Sequence, residues 1–426
     1  MAGVRLHETT RKDRAMTSLC AEEFPEDEVR LRARSGPAAV FPPFTVYGSA
    51  VYGQPPATPS DDSLDRLRLV PPVFTPDRLS KLVELGREPS YQDVTLDSDI
   101  GGLRSTLPLY ISALGSTKAA AGLGTAIARQ SARLGLPMVI GENVSATGGY
   151  RTRDGDHSLS DRIEAYLEAE EHGLGGVVVQ QSTEDADAEL WNRIYSDPAA
   201  QGLLDSGRLG FELKLGQGAK PGLGGMTMVD GADGARLADR YLVDSEMGAA
   251  GLLRSSTPGT FTQDILRAQI RLLRNNFPRA RIWIKLPPTR DVGEAARLAW
   301  AEGADAVTVD GAEAGTGLAP TSFLRHMGLP LADCLARVQA GFSCLLVSGR
   351  MWEGARAVKC LALGARAVGL GRAALLAVDE SPDDGLIDLV RCMELELRLL
   401  ISALGKYRPG ALSFEDVWPG LEGGAW

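Results

Sequence analysis

Residues 211–225 read FELKLGQGAKPGLGG, an apolar run of strand character that passes directly into a glycine-rich stretch. The second part, residues 216–225, holds five glycines, one proline and one lysine, a composition that regular helices and strands disfavour. Glycine lets a backbone take positive φ and approach a ligand closely. Lys220 therefore stands either on a binding loop or on a plain flexible turn, and the surrounding fold has to decide between them.

Seven further strand-like runs alternate with amphipathic helical patterns between residues 100 and 380. The eight predicted strands are LYISA (109–113), PMVIG (137–141), GVVVQ (176–180), FELKL (211–215), RIWIKL (281–286), DAVTVD (305–310), CLLVS (344–348) and AVGLG (367–371). Strands that alternate with helices indicate a parallel sheet, and eight such units fit one (β/α)8 TIM barrel. A doubly wound sheet is the competing fold, but the G-x-G-x-x-G motif typical of it is missing after LYISA.

The sequence predicts an α/β protein in three parts. Residues 1–60 form an N-terminal arm, charged and then rich in proline and glycine, that we expect to be partly extended or disordered. Residues 61–380 form the barrel. Residues 381–426 form a C-terminal helix and a tail that pack on the barrel, with Trp418 and Trp426 as buried anchors.

The amino-acid composition limits the kinds of molecule that the chain is expected to bind. The 45 basic and 55 acidic residues give a net charge of −10, which argues against nucleic acid or an anionic membrane. The five cysteines form no C-x-x-C pair, as expected for reduced thiols, and no apolar run approaches the ~20 residues of a membrane span. The charged N-terminus lacks a signal-peptide core. We expect a cytoplasmic protein with a small-molecule substrate, and a homo-oligomer is compatible with the sequence.

The barrel places the glycine-rich stretch at the active face, because such barrels bind substrates at the C-terminal ends of their strands. Between Gly216 and the next strand, at Arg281, lie about 65 residues, whereas connections of this kind usually have 2 to 6. A connection of this length at the active face predicts a functional lid or a binding loop.

The last turns of the barrel form a second cluster. VDGAEAGTGLAP (309–320), VSGRMWEG (347–354) and GLGRAA (369–374) follow the sixth, seventh and eighth strands. Glycine-rich turns that open helices after strands seven and eight are common phosphate sites in these barrels. Arg350 and Arg372 would add charge-assisted contacts. The alternative is a pair of tight turns with surface arginines.

Two lysines at strand ends give a third signal. Period-two alternation puts Lys214 on the same face as Glu212, and Lys285 lies at the end of the fifth strand. Buried lysines are rare unless paired, so both are expected to meet an anion or an electron-rich ring at the barrel mouth. Pairing with Glu142 or Glu212 is the structural alternative.

These motifs resemble one known family. ELKLGQGAKPGLGG (212–225) resembles the FMN-domain signature of glutamate synthases, and VDGAEAGTGLAP resembles the same family's flavin-site turn, especially in its stand-alone FMN-binding members. The order and spacing also match at LPLYISA, RHMGLP, SGR and GLGRAAL. The resemblance covers roughly residues 60–375 and implies an FMN-binding barrel.

The resemblance also implies roles for individual residues. The FMN phosphate would lie on Gly349, Arg350, Gly369, Gly371 and Arg372. The flavin ring would lie over Ala113, Gln180, Lys214 and Lys285, beside the turn that contains Gly311 and Gly315. The substrate-side catalytic residues would be Glu142 and Lys220.

The sequence departs from the family pattern in three respects. The family's C-x5-C-x4-C cluster is replaced by ALLAVDESPDDGLIDLVRC, in which Cys392 is the one cysteine, so we expect no iron–sulfur cluster. We also expect neither an N-terminal nucleophilic cysteine nor a domain that releases ammonia from glutamine. Finally, Met226 stands where the family has glutamine, which argues against 2-oxoglutarate and glutamine-derived ammonia as substrates.

The function predicted from these features is that of an FMN-dependent oxidoreductase. It would act on an amino acid, an imino acid or a related small metabolite by hydride transfer through flavin, without a metal. Two alternatives remain open: a redox-neutral, isomerase-type FMN enzyme, and a flavin-binding subunit that works in a larger complex.

Overall fold

Eight short apolar runs, rich in β-branched residues, form the strands of a barrel in the computed structural model of the chain. The barrel strands, labelled β1 to β8, are Leu109–Leu114, Pro137–Ile140, Gly176–Gln181, Leu209–Lys214, Arg281–Leu286, Ala306–Asp310, Leu345–Ser348 and Ala367–Leu370. The structure describes residues 19–419 apart from positions 22, 44–48, 50–61, 116, 143, 145–157, 183–188, 230, 239–240, 246–250, 339–340 and 342.

The eight strands form one closed parallel barrel in chain order, with β8 beside β1. The predicted (β/α)8 TIM barrel is therefore confirmed, and each strand end falls within two residues of its predicted position. Register brings the chemistry-bearing residues side by side: Gln180 pairs with Glu212, and Lys214 pairs with Lys285. The polar residues at the strand ends consequently meet at one end of the barrel.

The N-terminal end of the barrel is closed by a short antiparallel hairpin. Its strands are Ser98–Ile100 and Leu103–Ser105, and they join at Gly101, which has a φ of 57°. The Trp283 indole N–H donates to the Gly101 carbonyl oxygen at 3.1 Å, inside an apolar cluster at this end. With one end plugged, the barrel opens at the C-terminal ends of its strands.

Helices cover the outside of the barrel between the strands. They are Lys118–Arg133, Leu159–Glu168, Leu190–Ser196, Gln201–Asp205, Gln263–Asn276, Val292–Ala301, Thr321–His326, Leu331–Arg337, Gly354–Ala362 and Arg372–Glu380. Two further helices, before β1, are Ser63–Arg66 and Pro76–Leu85. Ser158 and Asp161 form a capping box that starts one of the barrel helices. No helix among the described residues is long and apolar enough to cross a membrane.

The long loop, residues 215–280, connects β4 to β5. It contains a three-stranded antiparallel sheet formed by Met226–Val229, Leu242–Asp244 and Leu252–Ser255. It also contains the helix Gly231–Leu237. The sequence analysis predicted a long functional loop but none of these strands, because three or four residues are too few to show a clear alternation.

The arm contains a helix that the sequence analysis did not predict, Glu26–Ser35, called the arm helix below. Its buried side includes Arg30 and Arg32 beside Val29 and Ala33, so it lacks the apolar stripe that identifies most surface helices. Residues 1–18, 44–48 and 50–61 of the predicted arm lie outside the described residues. The division of the chain at residues 60 and 380 stays a prediction.

The C-terminal helix, Gly385–Ala403, forms as predicted and packs on the helices that follow β7 and β8. The prediction for the tail is wrong at Trp418, whose side chain is 42% exposed. The short strand Val417–Trp418 pairs with Arg68–Leu69, so backbone hydrogen bonds rather than a buried indole hold this part of the tail. Trp426 lies outside the described residues.

Candidate active site

Two lysines occupy the open end of the barrel, and each meets a carboxylate. Lys214, at the end of β4, forms a close ion pair with Glu142 and donates to the Gln217 amide oxygen at 2.9 Å. Lys285, at the end of β5, lies 3.1 Å from an oxygen of Asp310. The alternative in which the lysines pair with carboxylates therefore holds for both. Lys214 pairs with Glu142, as that alternative suggested, whereas Lys285 pairs with Asp310.

Burial and charge set the protonation of these groups together. Burial alone would raise the pKa of Glu142, but the adjacent Lys214 ammonium outweighs it and the net pKa lies below the usual value. Burial alone would lower the pKa of Lys285, but Asp310 and Glu212 outweigh it and the net pKa is raised. Glu142 is therefore ionised and Lys285 protonated near neutral pH.

A polar layer lies below the two lysines. The carboxylate of Glu212 accepts from Thr308 Oγ1 at 2.7 Å and, more closely, from the Gln180 amide nitrogen. The other atom of that amide, Gln180 Oε1, is buried and has no hydrogen-bond partner among the described residues. A buried acceptor without a partner is unfavourable unless a ligand supplies a donor.

Lys220 joins the long loop to the turn after β6. Its side chain is 3% exposed, and Nζ donates to the Leu318 carbonyl oxygen at 2.6 Å. The Gln217 amide nitrogen donates to Thr316 Oγ1 at 3.3 Å, and the Gly218 amide donates to Asp310 at 3.1 Å. Lys220 is thus not on a solvated flexible turn.

The glycines of the motif permit this close approach. A Cβ atom on Gly218 would overlap the Gly311 carbonyl oxygen and the Ala314 side chain. The long loop can therefore contact the β6 turn only if the residue at position 218 is a glycine, which has no Cβ atom.

A small pocket lies between β2 and the long loop. It is lined by Glu142 and Lys214 and by residues of the long loop that include Leu223, Gly224 and Thr257. The Glu142–Lys214 ion pair is therefore exposed to a space in which a small ligand would meet it.

The turns after β7 and β8 lie across the barrel mouth from β4. Arg350 takes a φ of 51°, a left-handed conformation that is uncommon outside glycine. Its guanidinium pairs with Asp65 at 3.1 Å and with Asp62 at 3.4 Å. Arg356 pairs with the same two carboxylates. Arg350 is therefore not the free surface arginine of the alternative interpretation.

Arg372 differs from these two arginines because, among the described residues, it forms no ion pair. One N–H donates to the Glu313 carbonyl oxygen at 2.5 Å, and the Phe24 ring lies 4.5 Å from the guanidinium carbon. Burial, followed by the nearby Arg350 and Arg356 charges, lowers the pKa of Arg372 to about 10. This end of the mouth therefore carries positive charge that a bound anion would stabilise.

The remaining predicted cofactor positions lie on β1 and β8 and on the turns that follow β6, β7 and β8. Ala113 lies on β1 and is half-buried. A Cβ on Gly315 would press on Arg372, and one on Gly369 would lie 2.6 Å from the Tyr110 ring. Gly371 borders open space, whereas Gly311 and Gly349 lie beside the Glu313 carboxylate.

Sequence analysis missed several residues that complete the site, namely Asp62, Asp65, Gln217, Asp310 and Thr316. Asp310 ends β6, so its position at a strand terminus was the same signal that identified Lys285. The two aspartates near residue 63 gave no such signal, because their partners lie more than 280 residues away.

Comparisons with known proteins find sequence relatives of this chain. Residues 203–380 match the family model for the conserved region in glutamate synthase. The chain is 30% identical over 286 residues to the glutamate synthase large subunit-like protein of Rhizobium meliloti (strain 1021), over 61% of this chain and 59% of that protein. It is 31% identical over 184 residues to the archaeal-type glutamate synthase (NADPH) of Dehalococcoides mccartyi, over 41% of this chain and 36% of that protein.

Solved structures share the fold at low identity. A mutant of the active chimera of (S)-mandelate dehydrogenase is 18% identical with a TM-score of 0.56, over 93% of this chain and 99% of that chain. A flavocytochrome b2 mutant with pyruvate bound is 14% identical with a TM-score of 0.54, over 85% of this chain and 80% of that chain. The matched region and the motif at residues 212–225 show that residues 203–380 are similar to the conserved region of glutamate synthases, and the chain spans less than two thirds of the length of the two relatives described above.

Proposed function

We propose that this chain is a cytoplasmic FMN-dependent oxidoreductase that acts on an amino acid, an imino acid or a related small metabolite. The observation that carries the proposal is Arg372, a half-buried guanidinium at the β8 turn that forms no ion pair among the described residues. A partly desolvated cation without a carboxylate partner favours an anionic ligand. The phosphate of FMN is the anion that the family relationship suggests.

The residues at the barrel mouth fit the rest of the cofactor. Gln180 Oε1 is a buried acceptor without a partner among the described residues, which suits a ring N–H donor. Lys214 and Lys285 border the same space; each is paired with a carboxylate, and their ammonium groups are hydrogen-bond donors suited to the ring oxygens. We propose that Ala113 and the turn at Gly311 and Gly315 border the ring.

When bound, FMN supplies hydride transfer, and the protein orients the substrate. Glu142 is ionised near neutral pH and faces the pocket, so its carboxylate is suited to hold a protonated amine. Lys214 fixes that carboxylate in place. We propose that Lys220 and Glu142 hold and move the protons of the substrate nitrogen.

The proposed enzyme works without an iron–sulfur cluster. Cys392 is buried in the C-terminal helix, and its Sγ lies 3.9 Å from the Arg32 carbonyl oxygen. Among the residues that the structure describes, no three His, Cys, Asp or Glu side chains form a group suited to a metal. Met226, at the start of the loop sheet, supports a substrate other than 2-oxoglutarate.

The chain spans 36% and 59% of the lengths of the two relatives described above, and one relative is named a large subunit-like protein. That name favours a second candidate function, a flavin-binding subunit of a larger assembly. Turnover by the isolated chain distinguishes the two, because a subunit of that kind would be inactive without its partners.

The proposal is tested by identifying the flavin and then its reductant. Cofactor released by heat from the purified protein is expected to be FMN, and FAD or no flavin would contradict the proposal. The holoprotein is then mixed anaerobically with amino acids, amines and NAD(P)H in turn. Bleaching of the flavin absorbance by an amine or amino acid is expected, whereas turnover without bleaching would support the isomerase alternative.

A further inference from the structure

The arm helix is attached to the barrel at the helix that follows β8. Phe24, Val29 and Ala33 form a small apolar cluster with residues of the helix Arg372–Glu380 and with Leu389. The segment from Leu19 to the arm helix therefore lies against the element that begins with Arg372.

Phe24 is the arm residue that reaches Arg372 itself. Its side chain is 8% exposed, and its ring lies 4.5 Å from the guanidinium carbon. A ring on the face of a guanidinium stabilises the charge and holds the plane in position, but it leaves the N–H groups at the edge available. One of them donates to the Glu313 carbonyl oxygen, which fixes the plane in a second direction.

Comparison with Arg350 shows why an aromatic partner matters here. Arg350 is held by the carboxylates of Asp62 and Asp65, which compete with any anionic ligand for the same guanidinium. A phenyl ring carries no negative charge. Arg372 is therefore oriented without losing its capacity to bind an anion.

We infer that Phe24 is a positioning residue for Arg372, so that the N-terminal arm completes the site for the phosphate of FMN. This inference rests on the proposed function. It assigns the arm a part in cofactor binding that the barrel motifs alone do not contain.

The test compares two flavins that differ in the phosphate. Flavin-free wild-type protein and Phe24→Leu are titrated with FMN and with riboflavin, and binding is followed by quenching of flavin fluorescence. Loss of the cation–π contact is expected to weaken FMN binding about 2- to 30-fold and to leave riboflavin binding unchanged. Phe24→Tyr, which keeps the ring, should bind FMN much as the wild type does.

A second comparison keeps the test valid if Phe24→Leu loosens the whole arm. In an Arg372→Met background, Phe24→Leu is expected to have no further effect on FMN binding, because the residue that it positions is gone. An equal loss of FMN and riboflavin, an unchanged FMN affinity, or the same loss in both backgrounds would overturn the inference. Failure of the wild type to bind either flavin would instead contradict the proposed function.

Discussion

Glu142 owes its ionised state to one neighbour, Lys214. Because the folded-state pKa of Glu142 lies below the ordinary value of 4.5, its ionised form adds stability above that pH. The contribution disappears as pH falls through the folded-state pKa, since the carboxyl is then protonated in both the folded and the unfolded chain. The ion pair therefore makes stability depend on pH on the acidic side.

Glu142→Gln is expected to lower the free energy of unfolding at pH 7 by about 1.5 to 3 kcal/mol, the range for a hydrogen bond to a charged group. The difference from wild type should shrink as pH falls below about 4.5, when wild type also loses the ion pair. Urea unfolding of both proteins at several pH values measures this difference in the free energy of unfolding. Glu84→Gln removes a largely exposed partner of Lys81 and serves as the control, with little effect at any pH.

The cysteines differ sharply in their surroundings. Burial raises the pKa of the thiols of Cys334, Cys344 and Cys360 to about 12 and that of Cys392 to about 11, whereas Cys20 is exposed. Because the thiolate is the reactive form, a thiol reagent at pH 8 should modify one cysteine quickly in the native protein and five after denaturation. Cys20→Ser is expected to remove the fast reaction, and a fast reaction that persists in it would contradict this assignment.

At the scale of elements, the long loop is fastened to the β6 turn at three points. The fastening groups are Lys220 with Leu318, Gln217 with Thr316, and Gly218 with Asp310. Lys220 thus has two conceivable roles, proton transfer to a substrate and closure of the mouth by joining two loops. The two roles predict different responses to mutation.

Lys220→Ala is expected to keep FMN and to lose about 10²- to 10⁴-fold in single-turnover rate, the usual scale for a general acid–base group. Flavin content and anaerobic flavin reduction measure the two quantities. Thr316→Val is the matched control, since it removes another of the three contacts between the same loops but leaves the lysine in place. A similar loss of rate in both variants would mean that loop closure, rather than proton transfer, explains the role of Lys220.

The eight barrel strands were predictable because each is buried on both faces and reads as a short apolar run. The lysines at the mouth were predictable for the same reason, since a charge at the end of such a run is conspicuous. The arm helix was not predictable, because arginines rather than apolar residues make its main contacts. Nor was the pairing of Arg350 with Asp62 and Asp65, since no local pattern connects residues so far apart in the chain.

At the scale of the whole molecule, arginines attach the arm helix to the last elements of the chain. The Arg30 guanidinium is 2% exposed and contacts Glu26 at 2.9 Å, Asp379 at 2.8 Å and Glu380 at 3.0 Å. Arg32 forms a bidentate pair with Glu396 of the C-terminal helix at 2.6 and 2.9 Å. The N-terminal and C-terminal parts of the chain therefore meet beside the helix that begins at Arg372.

Arg30→Met tests whether this buried network holds the arm in place. Removal of the arginine leaves three carboxylates close together, each largely buried, at a cost of about 3 kcal/mol, the lower end of the range for broken buried ion pairs. The rate of amide hydrogen exchange across residues 26–35 should rise by on the order of 10²-fold, because the free energy of local opening falls by that amount.

Arg34→Met is the control: Arg34 also pairs with Glu380, at 2.5 Å, but its side chain is 48% exposed. Exposed pairs contribute about 0 to 1 kcal/mol, so exchange in Arg34→Met should rise less than about 5-fold. Equal exchange in the two variants would mean that the apolar cluster around Phe24, and not the Arg30 network, fixes the arm to the barrel.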